Sequence, residues 1–304
     1  MESTPAAAAT PDPSLGRRII TFPLVRIVLA VAMVTVAMMA VQFAVRTPLR
    51  AAYGGKVPQA LGLVVAIPVL LTALAAYVFF VRVVERRGVS ELAPRRAAAG
   101  LGAGTALGIG LIALTVGTIG VLGGWSVDGT HAVAVLAPAL AMALYSGFVE
   151  EIVFRGIIFR MTEEGLGTWA ALAITSLLFG AAHLANDNAT AWGAIAIALE
   201  AGLLLGAAYA AARSLWLPIG IHVGWNLAER GLFGAPVSGI VKPGLLISRF
   251  EGSKLLTGGA FGPEASLAAV LICMAVALLL LSYAIRRGRM VPPWWRRRKE
   301  APAA

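Results

Sequence analysis

SGFVEEIVFRG, residues 146–156, sets Glu150, Glu151 and Arg155 inside an otherwise apolar run. The flanking LAPALAMALY (136–145) and IIF (157–159) carry no charge, so the whole stretch is long enough for a membrane helix. An ionisable group at bilayer centre costs at least ~2.5–3.5 kcal/mol on insertion scales. Such groups therefore face the interior of a bundle, and their first reading is functional.

Working outward, the chain has 304 residues, is 59% hydrophobic and 13% charged, and has a mean hydropathy of +0.84. Soluble domains are roughly 45–50% apolar and ~25% charged. The expectation is an all-α, polytopic membrane helix bundle. At ~20 apolar residues per crossing, about eight transmembrane helices are expected, near 23–45, 58–82, 98–122, 132–160, 166–185, 191–212, 215–231 and 265–285. The third is rich in glycine (GLGAGTALGIGLIALTVGTIG, 100–120), which permits close helix approach. The connector from Gly231 to Pro263 is long, a length that is usually functional or disordered. Its apolar pieces, LLISRF and KLLTGGAFGP, suit either the outer interface or a partial dip into the membrane.

The net charge of +10 would point to nucleic acid in a soluble protein. Here the bases sit in connectors and tails, as orientation signals do, and no nucleic-acid partner is expected. Sixteen of the 25 Lys and Arg fall on the side of both termini, against seven on the other. That bias puts both termini in the cytoplasm of a multi-pass cell-membrane protein. The tail PPWWRRRK (292–299) pairs interfacial tryptophans with a polybasic patch suited to anionic lipid headgroups. Cys273 is the only cysteine, reads as a small apolar core residue, and leaves no intrachain disulfide possible.

Polar residues converge in depth. Glu150 lies ten residues before Arg160, or ~15 Å at 1.5 Å per residue, which is mid-membrane. His222 lies nine residues after Arg213, at a similar depth. Helices four and five form a hairpin about Leu166, which brings His183 level with Glu150. Glu151 and Arg155 are four apart on one face and can pair. Glu150 points elsewhere, and a carboxylate left without a cation is suited to take a proton from water. Phe179 and His183 are also four apart, with the ring as a wall beside the imidazole or as plain packing. His222 and Asn226 present hydrogen-bond donors on one face, a pattern that can stabilise an oxyanion. Glu200 is a supporting group or an inter-helix partner, and His131 beside Asp128 is interfacial.

Assembled, EEIVFR (150–155), FGAAH (179–183) and HVGWN (222–226) resemble the three motifs of the CPBP family of intramembrane proteases. That family includes type II CAAX prenyl endopeptidases and bacterial relatives. The resemblance covers about 138–232, and LTGGAFGPEAS (256–266) is also similar to bacterial members. It implies that Glu150 and His183 activate water, that His222 and Asn226 hold the oxyanion, and that Glu151 and Arg155 support the site. The expected function is an intramembrane endopeptidase acting on a membrane-associated protein or peptide without a cofactor. The Ala-, Gly- and Arg-rich composition points to a bacterial source and speaks against a prenylated substrate.

Two other readings use the same residues. One carboxylate and two histidines form a possible zinc set with an open position. A transporter would use midplane polar groups as a relay. Expected divisions are a disordered cytoplasmic segment (1–18), one transmembrane protease domain (19–285, motif core 138–232) and a basic cytoplasmic tail (286–304).

Overall fold

A computed structural model describes residues 22–300, with side chains to 297. The expectation of disorder over 1–18 and the last part of the basic tail lie outside the described residues. The chain forms a helix bundle: α1 (Pro23–Ala52), α2 (Gly62–Val83), α3 (Ala97–Val121), α4 (Leu136–Glu151), α5 (Arg160–Ala182), α6 (Ala191–Ile197), α7 (Leu203–Ala212), α8 (Trp216–Asn226), the single turn α9 (Lys254–Thr257), α10 (Leu267–Arg286) and α11 (Trp294–Glu300). Among the described residues, six helices are long and apolar enough to cross a membrane. The longest, Val133–Ala185, is not one rod, because Gly167 sits at φ 81° and reverses the chain. That is the hairpin expected about Leu166, and only glycine adopts this backbone without strain.

Among the described residues, three stretches of π-helix break the α-helical ladder, and hydrophobic spacing does not foreshadow them. Ile152–Phe159 continues α4, Ala198–Gly202 joins α6 to α7, and Leu227–Leu232 continues α8. Each π turn touches or carries one of the polar groups singled out above. Such turns recur at functional sites because they redirect side chains without ending the helix.

Packing follows the small residues. A Cβ built on Gly220 would stand 3.0 Å from the Cα of Gly104 and nearer still to the Leu101 carbonyl, so α3 and α8 meet backbone to backbone. The expected role of the glycine-rich third helix is realised against α8. Around this pair, Ile112, Val116, Ile219, Ile152 and Phe159 fill one apolar core.

The bundle also holds a small sheet, which an all-α expectation omits. β1 (Trp125–Thr130) pairs antiparallel with β2 (Leu246–Phe250), with an irregularity between Val127 and Gly129. Trp125 Nε1 donates to Ser248 Oγ at 3.0 Å, and Arg249 pairs with Asp128 at 2.8 Å. His131, expected at an interface, is exposed, with Nδ1 2.8 Å from the Gly244 carbonyl. The long connector is thereby stapled to the segment after α3. It lies across one end of the bundle rather than hanging free.

At the opposite end the chain after α10 folds back. The Thr168 amide donates to the Val291 carbonyl at 3.0 Å, and the Val291 amide to Thr168 Oγ at 2.8 Å. The start of the tail is therefore fixed against the turn at Gly167 within α5.

Candidate active site

Glu150 and Glu151 end α4, and the helical step between them sends their side chains apart. Glu151 is fully buried and accepts from Arg155 Nη1 at 2.8 Å, the expected i,i+4 pair. Arg155 is also fully buried. Its Nη2 donates to the carbonyls of Ala201 (3.2 Å) and Gly202 (3.0 Å), at the end of the second π turn. Its guanidinium carbon lies 4.6 Å from the centre of the Phe179 ring, a cation–π contact in dry surroundings. Phe179 thus does two things: it packs edge-on to Phe154 (4.9 Å) and lies against His183 (4.8 Å).

Glu151 has a second partner that sequence spacing did not reveal. His222 Nδ1 lies 3.0 Å from Glu151 Oε1, across 71 residues of chain. With its Nδ1 side held, the His222 ring turns Nε2 to within 4.0 Å of Glu150 Oε2. Glu151 is therefore a link: Arg155 fixes Glu151, and Glu151 fixes the orientation of His222.

The other two polar groups are held in the same manner. His183 Nδ1 lies 2.7 Å from the Phe179 carbonyl. A carbonyl only accepts, so that nitrogen carries a proton, and Nε2 is the ring nitrogen left for the cavity. Asn226 Nδ2 donates one hydrogen to Ser146 Oγ at 2.8 Å, and Ser146 in turn donates to the Met142 carbonyl at 3.0 Å. One amide hydrogen of Asn226 remains.

Glu150, His183, His222 and Asn226 all line one cavity of about 480 Å³. Glu150 is half-buried, with its side chain 31% accessible, whereas its neighbour Glu151 is at zero. Among the described residues Glu150 Oε2 has no hydrogen-bond partner. The remaining wall comes partly from the connector: Val237, Ser238 and Ile240 close one side. Asn186 and Asn188 hold that segment by donating to the carbonyls of Ser238 (3.0 Å) and Gly239 (2.9 Å). This part of the connector, ahead of LLISRF and KLLTGGAFGP, folds back over the cavity.

Behind the cavity lie three buried carboxyls: Glu200, Glu229 and Glu264. Glu200, flagged from the sequence, lines a small adjoining space with His183, His222, Asn226 and Glu264. Glu229 and Glu264 were missed. Trp225 Nε1 donates to Glu229 at 2.9 Å, an i,i+4 contact legible in the sequence, and the Ser238 amide donates to Glu264, which is not.

Residues 132–228 match a family profile described as Rce1-like, type II CAAX prenyl endopeptidase Rce1-like. The matched segment contains every residue discussed above from Glu150 to Asn226 and stops before Glu229 and the connector. No curated protein and no solved structure matches the chain. That segment is similar to the Rce1-like, type II CAAX prenyl endopeptidases and is set among helices long and apolar enough to cross a membrane, which makes the protein a multi-pass intramembrane protease acting on a peptide or protein substrate.

Proposed function

We propose that the cavity hydrolyses a peptide bond of a membrane-associated protein or peptide, with Glu150 as the general base. A water between the Glu150 carboxylate and His183 Nε2 gives its proton to Glu150 as its oxygen attacks the scissile carbonyl. The carbonyl oxygen takes the negative charge. Asn226 Nδ2–H and His222 Nε2–H donate to it. Collapse expels the amine, which takes the proton back from Glu150, so the enzyme is regenerated. His222 can donate from Nε2 only with a proton there as well as on the nitrogen facing Glu151, and the carboxylates of Glu150 and Glu151 flank that cation. Glu151 and Arg155 position His222, and Phe179 walls the site.

The observation that carries this reading is the pattern of commitments. His183 Nδ1 is tied to a carbonyl, His222 Nδ1 to Glu151 and one Asn226 hydrogen to Ser146, so each remaining polar atom is free for the cavity shared with Glu150. Purified protein in nanodiscs, given a panel of membrane peptides, tests it. Glu150→Gln is expected to cut cleavage by at least ~10²-fold, with the thermal unfolding midpoint unchanged. Equal rates for wild type and variant would leave the cavity without this chemistry.

A zinc-dependent version would need Glu150, His183 and His222 to meet on one ion. Among the described residues no three such side chains stand together at ligating distance, so no step is routed through a metal. Cleavage that survives chelation supports the metal-free form. A relay for transport predicts no cleaved peptide at all. The eight-crossing count rests on the break at Gly167 and on the 17 residues Trp216–Leu232 as a further short crossing. Both termini in the cytoplasm of the cell membrane follow from the Lys/Arg bias, as does contact of Trp294, Trp295 and the basic tail with anionic headgroups.

A further inference from the structure

A second cavity, of about 420 Å³, lies at the end of the bundle where α1 finishes and α2 and α4 begin. It shares Met142 and Tyr145 with the wall of the candidate active site. Three cations line it: Arg46 from α1, Arg230 from the π turn after α8, and Lys242 from the connector. No Asp or Glu does. Among the described residues none of the three has an acidic partner.

Two of these cations are costly as they stand. Arg230 is 7% exposed, and its one hydrogen bond runs from Nη1 to the Pro138 carbonyl at 3.3 Å. The Nε groups of both Arg46 and Arg230 are buried without any acceptor. A buried guanidinium N–H with no acceptor is rare in a settled structure and points to a missing anion. Each guanidinium presents a planar fork suited to phosphate oxygens. The opposing wall is apolar (Val57, Val65, Ala66, Ala141), and the neighbouring turns of α1 put Val36, Met39 and Phe43 on the outer surface. A site that is cationic within and flanked by an apolar outer face suits a phosphate attached to acyl chains.

We propose that this cavity binds the phosphate headgroup of an anionic phospholipid, held by Arg46, Arg230 and Lys242, with the acyl chains along the exposed face of α1. The site is separate from the basic tail, which leaves the bundle at its other end. It also stands apart from the hydrolytic chemistry, so it can be tested without a peptide substrate.

The test uses the full chain in phosphatidylcholine nanodiscs, titrated with phosphatidylglycerol and read as bound lipid by native mass spectrometry. Wild type is expected to retain phosphatidylglycerol over phosphatidylcholine. Arg46→Gln combined with Lys242→Gln removes two cations without touching the buried Arg230 and should weaken retention roughly thirtyfold. Arg46→Lys should keep most of it, and so should Arg296→Gln with Arg297→Gln in the tail. Millimolar inorganic phosphate should not displace the lipid. Unaltered retention in the double variant, loss caused by the tail variant, or displacement by phosphate alone would each overturn the assignment. The thermal midpoint in phosphatidylcholine alone shows that the variants fold.

Discussion

At Arg155 the guanidinium is sealed from solvent and yet nearly satisfied: one carboxylate, two main-chain carbonyls and an aromatic face surround it. Removing it strands Glu151 as a buried charge with only His222 for company. Breaking a buried pair from one side costs ~3–5 kcal/mol, so Arg155→Met is expected to lower the unfolding midpoint sharply in a thermal melt. Glu151→Gln should behave differently. The amide still fills the space and accepts from Arg155, but it no longer favours a proton on both nitrogens of His222. Orienting carboxylates of this kind are worth up to ~10⁴-fold in kcat, so a loss of ~10²-fold or more in kcat of the folded variant is the expected outcome, beside the lower midpoint that an Arg155 charge left unpaired brings. Asn226→Ala should cost ~10²–10³-fold in kcat as an oxyanion donor, with KM little changed. A variant series in which KM moves and kcat does not would refute these roles.

Among the elements, what the sequence reveals is whatever a helix repeats. Pairs four apart are direct consequences of 3.6 residues per turn, and Glu151–Arg155, Phe179–His183 and Trp225–Glu229 all appear as spacing before they appear as contacts. The hairpin about Leu166 is equally legible, because GLG interrupts an apolar run. The bond between Glu151 and His222 has no such signature: it depends on how α4 and α8 rotate against each other, which spacing within either helix does not encode. The π turns were hidden for a related reason. One extra residue in a turn costs little and leaves hydrophobic periodicity almost intact. The sheet went unseen because WSVDGT and LISRF are short and lie far apart along the chain. The α3–α8 contact allows a sharper test. Gly220→Ala puts a methyl group against the backbone of Leu101 and Gly104, and overpacking of that kind costs ~1–3 kcal/mol. Gly110→Ala on the same α3 meets open space and should be neutral. Thermal melts of the two variants separate close packing from a general intolerance of α3 to change.

Over the whole molecule, charge is divided between the two ends of the bundle. At the end where α1 begins, three arginines are matched by two acids: Glu85 accepts from Arg26, from Arg87 at 2.9 Å and from Arg160 at 2.9 Å, while Glu91 pairs with Arg87 at 2.7 Å and accepts from Tyr77. Arg26 and Arg160 also share Glu164, at 2.8 and 2.9 Å. This network ties α1, the segment after α2 and the start of α5 into one unit. Burial by itself would raise the Glu85 carboxyl, but Arg160 and Arg26 outweigh it and hold it below the ordinary value. Burial opposes Glu91 in the same way and is outweighed by Arg87 and then Tyr77. Both acids are therefore more readily ionised folded than unfolded. Their contribution is complete above the unfolded carboxylate value, ~4.3, and is lost as pH falls through the depressed folded values. The thermal midpoint in nanodiscs should hold level from neutral pH down to about 5 and then drop steeply below ~4. Glu85→Gln with Glu91→Gln should start lower at neutral pH, since the arginines lose their counter-charges, and should fall less on acidification. If the two curves instead run parallel into acid, the network does not clamp this end of the bundle, and acid sensitivity arises elsewhere among the buried carboxyls.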